Sequence, residues 1–69
     1  MKLSARNVLK GKVKQIKAGA VNSEVVLEIS KGVEIVSIIT KESVEKLQLA
    51  AGKDAYAVIK ASNVMIAID

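Results

Sequence analysis

The chain has no cysteine, histidine, proline, phenylalanine or tryptophan, and Tyr56 is its only aromatic residue. Each absence removes a class of function. Without Cys there is no disulfide framework, and without Cys or His only scattered carboxylates remain to ligate a metal, so no metal cation site is expected. Nucleophilic catalysis needs a base oriented beside Ser or Cys; a pairing of Ser62 with Lys60 is the weak remainder, and the chain does not read as an enzyme. The four glycines stand alone at positions 11, 19, 32 and 52, which gives neither a Walker A loop nor a dinucleotide-binding pattern. No run approaches the roughly 20 apolar residues of a membrane span, and residues 1–30 hold no apolar export segment. A cytoplasmic protein is expected, in keeping with the lack of Cys.

What is present is a short, apolar, basic chain. Its 69 residues suit one domain covering 1–69, and a chain of this size buries only about 60% of its unfolded surface. Such folds need reinforcement, and with disulfides and metals poorly supplied, self-association is the remaining route. The 51% apolar content agrees, being more than a single small core encloses. Net charge is +4, from eleven Lys and Arg against seven Asp and Glu. Lys2, Arg6, Lys10, Lys12, Lys14 and Lys17 all precede the first acid, Glu24. Such a field suits nucleic acid, an anionic surface or small anions.

Periodicity gives the element order. Val8, Val13 and Ile16 interleave with Lys from Asn7 to Lys17 around Gly11, the mark of a long bent or bulged strand. After the Ala18-Gly19-Ala20 turn, Ser23 to Ser30 alternates, with Val25, Leu27 and Ile29 on one face. Lys31-Gly32 then turns the chain into the β-branched run Val33 to Ile39, completing a hairpin. From Thr40 to Leu49 the spacing of Val44, Leu47 and Leu49 becomes nearly helical, with Thr40 placed as N-cap. Strands are expected again at Ala55 to Lys60 and Val64 to Ile68. Five strands with one short helix between the third and fourth is the order of an all-β, OB-fold-like Greek-key barrel, with a small sandwich or SH3-like barrel as alternatives.

Two clusters carry candidate chemistry. Ser4-Ala5-Arg6-Asn7 combines a guanidinium fork with a hydroxyl and an amide, and Lys60-Ala61-Ser62 combines an ammonium with a hydroxyl. The alanines leave main-chain N–H groups accessible. Together these donors suit a tetrahedral dianion. The residues alone leave a second reading open, in which Arg6 and Lys60 are ordinary surface charges and the serines end strands. A small basic barrel binding single-stranded nucleic acid is the alternative function, although one aromatic residue is a poor stacking platform.

The segments Ser4-Ala5-Arg6-Asn7, Gly19-Ala20-Val21-Asn22-Ser23-Glu24-Val25, Ile39-Thr40 with Ser43, and Lys60-Ala61-Ser62, in that order along the whole chain, resemble the signature of the molbindin, or Mop, family. The resemblance implies an OB-type barrel assembled as a hexamer, a trimer of dimers, holding molybdate or tungstate at subunit interfaces. Ser4, Ala5, Arg6, Asn7, Lys60, Ala61 and Ser62 would form the main oxyanion site. Gly19, Ala20, Val21, Asn22 and Ser23 would approach an anion of a neighbouring subunit, or else simply shape a turn. Thr40 and Ser43 would contribute to a further site, against the simpler reading of helix capping. The lack of a DNA-binding or ATPase segment points to a free-standing storage protein.

Overall fold

The computed structural model describes residues 4–69, and Lys2, counted above in the basic N-terminal stretch, lies outside them. The first strand, β1 (Asn7–Ala18), runs antiparallel to β2 (Asn22–Ser30), which pairs in turn with β3 (Val33–Thr40). The Lys31-Gly32 turn joins β2 to β3, with Gly32 at φ 79°, a conformation for which glycine carries no steric penalty. β1 is bulged as its sequence suggests: the register slips between Val13 and Gln15. Gly11 has a different job. A Cβ there would lie 2.6 Å from the Glu28 carbonyl oxygen, so only glycine lets β2 cross so closely.

The helix α1 (Lys41–Lys46) follows β3, with Thr40 as its N-cap accepting from the Ser43 N–H at 3.0 Å. It is shorter than the expected Thr40–Leu49 span, because the chain leaves helical geometry at Gln48, whose φ is 54°. Val44 and Leu49 still pack against the core, while Leu47 is exposed. The last strand of the sheet, β4 (Asp54–Ile59), pairs antiparallel with the first half of β1, and the sheet order is β3-β2-β1-β4.

The all-β class and the short helix between β3 and β4 are as expected, but among the described residues the sheet is a curled antiparallel one of four strands, and the expected fifth strand is not formed. After a 3₁₀ turn at Ala61–Asn63 the chain runs from Val64 to Asp69 with no ladder partner among the described residues. Met65, Ile66 and Ile68 are 93%, 87% and 93% exposed. Alternation announced a strand, but a strand exists only where an edge receives it, and this tail forms no ladder with the edge strands β3 and β4 of its own chain.

The buried core is correspondingly small: Val13, Val25, Leu27 and Ala57, flanked by Ile16, Ile29, Ile35 and Ile39. Beside it an apolar groove of 490 Å³ opens between the β3 and β4 sides of the sheet, lined by Ile35, Ile39, Leu47, Leu49, Tyr56 and Val58 among others.

Candidate functional site

The β1–β4 ladder decides where the two donor clusters meet. Its outermost rung pairs Asn7 with Ile59, so the residues before Asn7 and after Ile59 emerge side by side. Ser4, Ala5, Arg6, Lys60, Ala61 and Ser62 line one cleft of 690 Å³ together with Val58. Six of the seven residues expected in the main site are thus brought together from opposite ends of the chain.

The seventh, Asn7, stands just outside this lining. Its Nδ2 donates to the Ile59 carbonyl oxygen at 3.2 Å. On the other wall Lys60 caps the 3₁₀ turn, its carbonyl accepting from the Asn63 N–H at 2.8 Å. The N–H groups of Ala61 and Ser62 precede the first i→i+3 bond of that turn, so the turn itself does not use them. The Arg6, Lys60, Ser4 and Ser62 side chains are exposed at the cleft.

Electrostatics separate this cleft from the middle of β1. Neither Arg6 nor Lys60 forms an ion pair with a carboxylate among the described residues, and no acid lines the cleft. Three of the four lysines of β1 behave otherwise. Lys12 Nζ lies 2.9 Å from Asp54 Oδ1, Lys10 Nζ lies 3.9 Å from Asp54 Oδ2, and Lys14 is bonded to Glu34. The hydrogen bond from Lys12, then the charges of Lys12 and Lys10, hold the Asp54 carboxyl below its ordinary pKa. Hydrogen bonding to Glu34, with its charge, raises the Lys14 ammonium above its own. Two carboxylates, Asp54 and Glu34, thus offset part of the positive charge of that strand.

The secondary residues gather elsewhere. Asn22 pairs with Thr40 across the β2–β3 ladder, and the Lys41 N–H donates to the Val21 carbonyl at 2.8 Å, so the Gly19–Ser23 segment and the start of α1 share a corner. Within it the Thr40 hydroxyl is committed: Oγ1 donates to Ser43 Oγ at 2.8 Å while capping the Ser43 N–H. Ser23 is only 2% exposed. Gly19 shapes the turn by donating to the Asn22 carbonyl at 2.8 Å. None of these residues lines the main cleft.

Fold and cleft together define a small all-β protein that offers to one shared space several neutral donors and two cations, neither paired with a carboxylate among the described residues. The chain belongs to the molbindin, or Mop, family of TOBE-domain proteins, the TOBE domain model matching residues 3–66. It is 53% identical over 66 residues to molybdenum-pterin-binding protein 1 of Clostridium pasteurianum, covering 96% of this chain and 97% of that one. Among solved structures it is similar to MopII from Clostridium pasteurianum, with a TM-score of 0.90 and 51% identity over 97% of this chain and all of that one. A similar match is to the cytoplasmic molybdate-binding protein ModG with molybdate bound, with a TM-score of 0.90 and 57% identity over 94% of this chain and 46% of that one.

Proposed function

We propose that this protein binds molybdate or tungstate in the cleft between Ser4–Arg6 and Lys60–Ser62, and that it sequesters and releases the anion in the cytoplasm without transforming it. The observation that carries this reading is the meeting of Arg6 and Lys60 in a cleft lined by no acid. Two fixed positive charges match a dianion, and hydroxyl and main-chain N–H donors fill the remaining directions of a tetrahedron. Charge-assisted hydrogen bonds of this kind are the strong ones. Molybdate and tungstate share charge and nearly share size, so the same donors serve both, whereas sulfate is smaller and makes fewer simultaneous contacts. The names of the family relatives support molybdate as the ligand.

The reading includes a homo-oligomer, a hexamer built as a trimer of dimers, with the anion at subunit interfaces. It is supported by the open apolar groove beside the core and by the apolar tail 64–68, which has no partner among the described residues. A second copy supplies both: its tail suits this groove, and its groove suits this tail. Desolvation at such an interface strengthens the cleft's interactions with an anion. Nucleic-acid binding is disfavoured, because Lys10, Lys12 and Lys14 already pair with carboxylates and Tyr56 is the lone aromatic.

Calorimetric titration with molybdate, tungstate and sulfate tests the function, and native mass measured with and without molybdate tests the assembly. Tight binding of the first two over sulfate is expected. Equal weak binding of all three, or a monomer under both conditions, would sink the corresponding part of the reading.

A further inference from the structure

The notable feature of the cleft is a residue that touches it only from behind. Asn7 is the first residue of β1 and sits opposite Ile59, the last residue of β4, at the outermost rung of their ladder. It is half-buried, and its side-chain amide donates to the same Ile59 whose neighbour, Lys60, begins the far wall. The two strands are therefore tied twice at one level, by backbone register and by a side-chain bond. Immediately beyond that level the chains part: Ser4, Ala5 and Arg6 on one side, Lys60, Ala61 and Ser62 on the other, with the far wall turning into a 3₁₀ turn.

We propose that Asn7 is a positioning residue that sets the spacing of the two walls, and through it which tetrahedral oxyanion the cleft accepts. The inference rests on the oxyanion reading above. A donor set on two separate segments reads ligand size only if the gap between the segments is held, because loose donors collapse onto a small anion as readily as they surround a large one. The end of an antiparallel pair is where a ladder frays first, and the Asn7 amide bond closes that end. Asparagine fits this rung because its short side chain carries an N–H donor, whereas leucine of similar bulk carries none.

The test compares Asn7→Ala and Asn7→Leu with the unaltered protein, each checked by circular dichroism and native mass, in titrations with molybdate and sulfate. One neutral hydrogen bond is worth about a two- to tenfold change in a binding constant, and that change is expected in the molybdate-to-sulfate affinity ratio, with sulfate affinity held or raised. If both variants weaken the two anions by the same factor, Asn7 is a direct ligand or a general stabiliser, and the proposal is overturned. Amide hydrogen exchange at Asn63, whose N–H donates to the Lys60 carbonyl, supplies in the anion-free protein a readout independent of binding. Faster exchange there, with the middle of the β1–β4 ladder unaltered, is expected in Asn7→Leu, and unchanged exchange would overturn the clamp. Failure of the unaltered protein to bind molybdate instead overturns the proposed function, and the exchange measurement still judges the clamp. If Asn7→Ala does not fold, Asn7→Ser, which keeps a small polar residue at the rung, takes its place under the same criteria.

Discussion

Two groups of cations on this small surface meet opposite fates. Lys10, Lys12 and Lys14 project from the middle of β1 and find Asp54 on β4 and Glu34 just after the start of β3. Arg6 and Lys60, just beyond the end of the same strand pair, line one cleft with no acid in its lining. The ladder explains the contrast, because it places Asp54 opposite Lys12 and leaves hydroxyls, alanines and a second cation beyond its open end. A cation with a carboxylate of its own has little left for a ligand; a cation held near another cation favours one. Charge count alone does not distinguish the two groups.

Four experiments press on this contrast. The severest gives the cleft a carboxylate of its own: Ser62→Glu is expected to weaken molybdate binding by more than about 100-fold, since like charges brought together cost several kcal/mol. Titration of a folded variant with near-normal affinity would break the comparison. Arg6→Ala follows, with an expected loss of about 10- to 100-fold and the fold intact, set against Lys12→Ala, for which calorimetry should find affinity unchanged. Equal losses in both would mean that overall positive field, and not pairing, governs binding. Ser62→Ala removes one neutral donor, and a loss of about two- to tenfold should register in the same titration.

The smallest effect is on stability. The Asp54 pKa is lowered in the folded state, so its contribution is present above the ordinary aspartate value of about 3.9 and fades as pH falls through the lower folded value. Asp54→Asn should therefore be slightly less stable than the parent near neutrality and converge with it in strong acid. The Lys14 ammonium works in the opposite sense: its raised folded pKa makes its contribution complete below about 10.4 and lost as pH rises through the folded value. Chemical denaturation across pH reads both. Because these groups are solvent-exposed, the differences should be small and should shrink further in salt.

Much of the architecture was legible because it is local. The alternation of Val25, Leu27 and Ile29 places them against the core, Gly32 turns the hairpin, and Thr40 caps α1. The bulge in β1 was legible too, although it falls at Val13–Gln15 while Gly11 serves a close crossing. What escaped depends on partners distant in sequence. Lys12 and Asp54 are 42 residues apart, and nothing near either announces the pair. Val64 to Ile68 alternates like a strand, but alternation says that a segment can be covered and not what covers it. In the site, the two motifs were readable as donor chemistry, while the commitment of Asn7 to Ile59 and of Thr40 to Ser43 required the register of the strands.

The walls of the cleft also have a consequence for how the chain comes to be folded. Arg6 is made before Lys60, so a growing chain has no complete cleft until β4 has been synthesised and has docked along β1. An anion in the cleft therefore binds the finished fold and not its precursors, and at 100 times its dissociation constant such a ligand stabilises the folded state by about 2.7 kcal/mol. With only four apolar residues buried among the described residues, this is a large share of what a domain of this size has to spare. On the proposed function the anion would double as a clasp, joining the segment before β1 to the one after β4, and its depletion would loosen the fold.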